Sequence, residues 1–273
     1  MSASQPPSAL TIAGLDPSGC YGLSADVRTF LALGVHAASV VTILTAQNTA
    51  GLRGAQPVAA DFVRAQAEAV LDDLVVGATK VGMLASVAII EAVAAVQDAG
   101  RMPNLVVDPV LVGSNGRPLF DASVIDAYRR LLAPKAVLLT PNIAEASLLL
   151  GRPLTDPQSV ADAAAQLGRT FATNVVITTG AARSWPAHDA WFDPLDDSVR
   201  WLEGNRIATT NVAGSGDSFS AAVTALVARG AWLPDALRGA KDFVEAALAG
   251  GAKWVLGAGS GPLDHFGWSR PRH

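Results

Sequence analysis

The chain has 273 residues, half of them hydrophobic and 16% charged, with a net charge of −4 and no run of lysine or arginine. That is ample apolar material for one large core, and it argues against a nucleic-acid or membrane-surface role. A single cysteine, Cys20, excludes an internal disulfide and a thiolate metal cluster. No basic, apolar leader opens the chain and no apolar run is long enough to cross a bilayer, so the expectation is a cytoplasmic protein without a membrane partner.

Short apolar runs alternate with amphipathic helical runs along almost the whole chain. Ala9–Ala13 predicts a strand and Leu23–Leu33 a helix. Ala38–Leu44 follows as a strand, Ala59–Leu74 as a helix, Thr79–Met83 as a strand and Val87–Ala99 as a helix. Leu105–Val107 reads as a strand, Ser123–Leu132 as a helix and Ala136–Leu139 as a strand. Ala144–Leu150 and Ser159–Phe171 are helices, and Asn174–Thr178 is a strand. Runs that are apolar on both faces, alternating with helices, predict a central, mostly parallel sheet covered on both sides. Ala190–Ile207 is different: polar residues alternate, and Asp193-Pro194 and Glu203-Gly204-Asn205 are turn signals, so a small antiparallel hairpin is expected. Helices over Ser218–Arg229 and Ala236–Ala249 close the chain. No linker or repeat interrupts it, and residues 1–273 read as one α/β domain.

Gly214-Ser215-Gly216-Asp217 carries the sharpest chemical signal. It precedes a small, apolar, helix-prone run from Ser218. Two glycines allow a tight turn and close approach of the backbone to a ligand. The helix that follows opens with unpaired N–H groups and the positive end of its dipole. Together these make a nest for a phosphoryl group. Asp217 at the mouth of such a nest is costly beside an anion unless it takes a proton from an attacking hydroxyl. The combination suggests phosphoryl transfer to an alcohol; an N-cap on an ordinary turn is the competing reading.

In open α/β sheets ligands collect at the carboxyl ends of the strands, and here those ends are polar. They carry Asp16-Pro17-Ser18-Gly19 leading into Asp26, then Thr45–Thr49 with Gln47 and Asn48, Gly82-Met83-Leu84-Ala85, and Asp108-Pro109-Val110 followed by Ser114-Asn115-Gly116. Beyond these come Thr140–Glu145 and Thr178-Thr179-Gly180-Ala181-Ala182-Arg183. Asp108 ends a buried strand and needs a cation, a cluster of N–H groups or a metal. Asn142 reads as a helix N-cap with Glu145 as its capping-box mate, a role compatible with Glu145 facing a hydrated Mg²⁺. The Walker pattern and the protein-kinase motifs are absent, so a phosphotransferase must be of another type.

The run Ile12-Ala13-Gly14-Leu15-Asp16-Pro17-Ser18-Gly19, with Gly22, Ala25-Asp26 and Thr29-Phe30, resembles the start of hydroxymethylpyrimidine/phosphomethylpyrimidine kinases. The match continues through Thr45–Thr49, Lys80–Ala85, Val107–Val110, Thr140–Ala146, Gly214–Ser220 and Gly259–Phe266, in order over nearly the whole chain. The resemblance implies a ribokinase-like fold, in the branch shared with pyridoxal kinases, and transfer of the ATP γ-phosphoryl group to a hydroxymethyl on a heteroaromatic ring in thiamine biosynthesis. It implies that Gln47 reads the pyrimidine edge, with Met83 and Val110 as apolar neighbours and Asp26 in the substrate-side polar cluster. It places Asp108 and Glu145 near Mg²⁺ and the phosphates, and Asn142, Thr178, Thr179 and Gly180 on the nucleotide side. Gly214, Ser215 and Gly216 match the anion hole, Asp217 matches the catalytic position, and a homodimer is compatible with the family.

Three departures bear on substrate and mechanism. Bifunctional members usually show Gly-Thr-Gly-Cys where this chain has Gly214-Ser215-Gly216-Asp217; Asp is usual in pyridoxal and sugar kinases. Many have Ser-Gly-Gly-Ala-Gly-Ile-Gln-Ala-Asp in place of Ser18–Asp26. Many have Lys-Gly-Gly-His where this chain has Thr179-Gly180-Ala181-Ala182, which removes a lysine near the phosphates and points to Arg183 as its partial replacement. Three functional readings therefore stand: an ATP- and Mg²⁺-dependent hydroxymethylpyrimidine kinase, a pyridoxal or pyridoxine kinase, and a non-catalytic sensor of a pyrimidine or vitamin.

Overall fold

A computed structural model describes residues 5–113, 116–182 and 184–269. Ser114, Asn115 and Arg183 lie outside them. Six parallel strands form the middle of the sheet: β1 (Ser8–Leu15), β2 (His36–Asn48), β4 (Ala78–Val81), β5 (Leu105–Val107), β6 (Leu138–Leu139) and β7 (Asn174–Ile177). Three antiparallel strands extend it: β3 (Gly51–Pro57) beside β2 at one edge, and the hairpin β8 (Asp189–Asp193) and β9 (Ser198–Leu202) beyond β7 at the other. Among the described residues the order across the sheet is β3-β2-β1-β4-β5-β6-β7-β8-β9.

The strand pleat sorts neighbouring residues to opposite faces. Leu105, Val107, Leu139, Val175 and Ile177 pack into one core with α2 (Ala60–Asp73), α3 (Val87–Asp98), α4 (Ala122–Ala127), α5 (Ile143–Leu150) and α6 (Pro157–Phe171). Val106, Leu138 and Val176 face the other way, against α7 (Ser215–Ala228) and α8 (Leu233–Gly251). Phe30 of α1 (Leu23–Ala32) joins that second face through Ala221 and Ala225 of α7. Small residues on α7 let it lie close over the sheet, and burial of Phe219 and Val223 there contributes about 1.5–3 kcal/mol each.

Helix ends follow local chemistry. The Asn142 side chain accepts from the Glu145 N–H, and the Glu145 carboxylate accepts from the Asn142 N–H, the capping box expected at α5. Asp156 and Ser159 cap α6 in the same way, with Pro157 in its first turn. The expected helix over Ser123–Leu132 is α-helical only to Ala127; it continues as a π turn over Tyr128–Leu132 and a 3-10 turn to Lys135. The buried Tyr128 explains why that segment is held: its hydroxyl donates to the Gly82 carbonyl at 2.6 Å and accepts from the Leu84 N–H at 2.9 Å. The turn thus braces the loop that carries Met83.

Two edges differ from the sequence reading. Thr45–Asn48 is the end of β2 rather than a loop, and Gly51–Pro57 pairs with it as β3. That segment holds two glycines and a proline and is exposed throughout, so it has neither strand propensity nor an apolar alternation to announce it. At the other edge the hairpin ends at Leu202, earlier than Ile207, with the Asp193 carboxylate accepting from the Leu195 N–H in its turn.

Candidate active site

The carboxyl ends of β1, β4 and β5 and the N-terminus of α7 meet around one side chain, Lys80. Gly214 takes a left-handed conformation, φ 79°, and α7 starts at the next residue with no side-chain cap. A Cβ at Gly214 would run into the carbonyl oxygen of Cys20, whereas the space before Gly216 is open. Although the Ser215 N–H itself donates to the Val212 carbonyl at 3.1 Å, the first turn of α7 opens onto free space at Gly216, the kind of helix N-terminus that suits an anion. Ser215 and Gly216 line it, with Asp217 in the same turn.

Lys80 sits in the middle of β4, fully buried. Its Nζ lies 2.5 Å from Asp26 Oδ1, 3.6 Å from Asp217 Oδ1 and 3.7 Å from Asp108 Oδ2. Thr11 donates to the second oxygen of Asp26 at 2.6 Å, and Ser220 of α7 donates to Asp108 at 2.7 Å. Burial opposes the ammonium charge, but the charges of Asp26, Asp217 and Asp108 outweigh it and hold the Lys80 pKa above its ordinary value. Three carboxylates share that one cation. Burial pushes Asp26 up to about 7 against the pull of Lys80, with Asp217 adding repulsion, and it pushes Asp108 up to about 6 in the same way. Lys80 was not singled out as a site residue from sequence. The signal was present: one of only four lysines, placed in Ala78-Thr79-Lys80-Val81, a strand otherwise without charge.

Asp16 has a different role. Its carboxylate accepts from the N–H groups of Ser18, Cys20 and Tyr21 and from the Ser18 hydroxyl, so it shapes the loop whose Cys20 carbonyl abuts Gly214. Gly22 closes that loop at φ 55°, where a Cβ would strike the Gly14 carbonyl oxygen. Gln47, Met83 and Val110 are each half-buried at or just beyond the carboxyl ends of β2, β4 and β5. The Thr42 hydroxyl fixes the Met83 carbonyl at 2.6 Å, and Gln47 stands opposite Leu52 just past a register shift in β2.

Glu145 is buried, with one carboxylate oxygen accepting from Leu111 N–H at 3.2 Å and the other from Asn142. Burial pushes it up to about 8, with the Asp108 charge adding to the shift. On the far side of the sheet Asn142 bridges to Thr178. The Thr179 N–H donates to Asp189 Oδ1 at 2.8 Å, and its hydroxyl donates to the His188 carbonyl. Asp189 is in turn paired with Lys241 of α8 at 2.6 Å. Arg206 holds the Gly180, Ala182 and Trp185 carbonyls together. Asp189, Lys241 and Arg206 carried no local signal in the sequence; each acts across a turn or from another helix.

A mostly parallel sheet with helices on both faces, antiparallel edges and an open helix N-terminus at its carboxyl edge is the ribokinase-like fold, an α/β class of phosphotransferases. The phosphomethylpyrimidine kinase family model matches residues 16–264, and the chain belongs to that family. It is 40% identical over 261 residues to a hydroxymethylpyrimidine/phosphomethylpyrimidine kinase of Rhizobium meliloti, covering 94% of this chain and 96% of the relative. It is 38% identical over 259 residues to the thiamine biosynthesis bifunctional protein ThiED of Geobacter sulfurreducens, covering 95% of this chain and 52% of that protein. Its structure superposes on the ADP complex of Bacillus subtilis pyridoxal kinase with a TM-score of 0.88 and 35% identity, covering 96% of this chain and 98% of the other.

Proposed function

We propose that this protein is an ATP- and Mg²⁺-dependent kinase that phosphorylates the hydroxymethyl group of 4-amino-5-hydroxymethyl-2-methylpyrimidine in thiamine biosynthesis. The observation that carries the chemistry is Asp217 in the uncapped, glycine-bounded first turn of α7, 3.6 Å from the buried Lys80. In this reading the acceptor hydroxyl gives its proton to the Asp217 carboxylate as its oxygen forms a bond to the γ-phosphorus. The bond from that phosphorus to the β,γ-bridging oxygen breaks, and ADP leaves. Gly214, Ser215 and Gly216 hold the transferred group through backbone N–H donors. Gln47 binds the ring edge and Met83 and Val110 its faces, while Asp26, fully buried and held by Thr11 and Lys80, belongs to the substrate-side polar cluster without reaching the substrate itself. Asn142, Thr178, Thr179 and Gly180 flank the nucleotide, and Arg183 stands for the missing lysine.

Asp108 and Glu145 suit a hydrated Mg²⁺. Both are buried carboxylates, the Asp108 charge raises the cost of charging Glu145, and a bound cation would relieve that repulsion. When bound, Mg²⁺ neutralises charge on the β- and γ-oxygens, and it needs only one or two protein carboxylates. The chain is read as one kinase domain over residues 1–273, cytoplasmic, with the uncovered β2–β3 ribbon available to a second copy in a homodimer.

Pyridoxal kinase activity is the second reading. It is favoured by Asp217 in place of the usual cysteine and by the likeness to a pyridoxal kinase. ATP turnover measured in parallel with hydroxymethylpyrimidine, its monophosphate and pyridoxal decides between them. The highest kcat/KM is expected for hydroxymethylpyrimidine; a higher value for pyridoxal makes the second reading the right one, and no turnover with any of the three overturns both.

A further inference from the structure

A cavity of about 190 Å³ lies beside the loop that Asp16 shapes, on the side of α1 and the C-terminal segment. It is lined by Ser18, Cys20, Arg28, Trp254, His265 and Trp268 among others. Its polar end is unusual. Arg28 donates from Nη1 to the Gly19 carbonyl at 2.5 Å, yet among the described residues no carboxylate pairs with it. A guanidinium has five donors, so most of its donor capacity is unused by the described residues around the cavity wall. His265 beside it brings no negative charge: its Nε2 meets the Ser218 hydroxyl at 2.9 Å.

The other end is aromatic. Trp254 stacks on Trp268 at 6.1 Å between centroids, and Phe266 stacks on Trp268 at 5.4 Å. Trp268 is 61% exposed and Phe266 is 43% exposed, so part of this apolar wall is turned to solvent. An unpaired planar cation at one end and an aromatic wall at the other form a matched pair of contacts. An anion head satisfies the first and a flat ring the second.

We propose that this cavity is a binding site for a small aromatic or heteroaromatic anion, such as a ring carboxylate or ring phosphate, with its charged group on Arg28 and its ring against Trp254 and Trp268. The volume is sufficient for one ring with one charged substituent. None of Gln47, Met83 and Val110 lines this cavity, although it touches the same loop: Cys20 lines the cavity and its carbonyl abuts Gly214.

The test uses the full chain with excess non-hydrolysable ATP analogue present, so that the anion hole is filled, and follows tryptophan fluorescence during titration with benzoate. Saturable quenching is expected, at least tenfold weaker with the neutral benzyl alcohol and at least tenfold weaker for benzoate in Arg28→Gln. Trp268→Ala, a change at an exposed ring, is expected to weaken benzoate binding without altering the melting temperature, so the outcome does not hang on the folding of Arg28→Gln. Absence of saturable quenching by benzoate overturns the proposal, as does equal affinity for benzyl alcohol, or an unchanged benzoate affinity in Trp268→Ala.

Discussion

In the proposed reaction Asp217 accepts the proton, and Lys80 balances the charge of the three carboxylates around it. Asp217→Asn preserves shape and removes the proton acceptor, and the expected result is a fall in kcat of roughly 10²–10⁴ with KM little changed. Near-normal turnover would remove Asp217 from the role of general base. Lys80 is different, because its loss leaves Asp26, Asp108 and Asp217 without a counter-charge in a buried place. Lys80→Met is expected to destabilise the protein by about 3–5 kcal/mol, read as a shift of the urea midpoint. Adding Asp26→Asn, which removes one of the three negative charges, is expected to recover part of that loss. A midpoint no better in the double variant than in Lys80→Met would show that charge imbalance is not the cause. Asp217 was legible in the sequence because a glycine pair next to a helix start is a local pattern. The role of Lys80 was not, since its partners come from α1, the end of β5 and α7.

At the scale of elements, α7 is anchored twice near its N-terminus. Ser220 ties it to Asp108, and Ser218 ties it to His265 in the C-terminal segment. His265 is lowered to about 4, first by burial and then by the charge of Arg28. Above about pH 6.5 it is neutral in folded and unfolded chains alike, and its contribution is complete. As pH falls below 6.5 the unfolded chain takes up a proton that the folded chain refuses until about pH 4, so stability is lost across that window. Between pH 7 and 5 the loss from this one group is about 2 kcal/mol. His265→Gln keeps an acceptor for Ser218 and cannot titrate. Urea midpoints at the two pH values should therefore fall further in the unmodified protein than in the variant; equal falls would show that His265 titrates normally. The capping box of α5 was readable three residues at a time, from Asn142 and Glu145. Strand β3 was not, because a Gly- and Pro-containing segment becomes a strand only when the extended end of β2 offers it a partner.

For the molecule as a whole, the excess of carboxylates around one ammonium is expected to disfavour a charged acceptor in the proposed reaction. A free alcohol brings no charge to Asp217, whereas the monophosphate brings a dianion to a site of reduced dielectric, where repulsion costs a few kcal/mol after screening. The kcat/KM for hydroxymethylpyrimidine is therefore expected to exceed that for its monophosphate by roughly tenfold or more, and Asp217→Cys is expected to narrow the gap. Comparable values in the unmodified protein would show that the helix N-terminus and Mg²⁺ offset the repulsion.

The sequence by itself determined the layered α/β architecture, the antiparallel hairpin near the C-terminus and the glycine turn that opens α7. Each is written in a short-range property: hydrophobic period, turn chemistry or cap spacing. Only the tertiary structure decided that Asp26, Asp108 and Asp217 converge on Lys80, that Asp189 is held between Thr179 and Lys241, and that Arg28 faces an aromatic cavity with no carboxylate partner among the described residues. The physical reason is that ionic partners are chosen by strand order and helix placement. The sheet sets β1 between β2 and β4, and α7 across β1, β4 and β5, which brings together charges that lie far apart along the chain and leave no periodic trace in it.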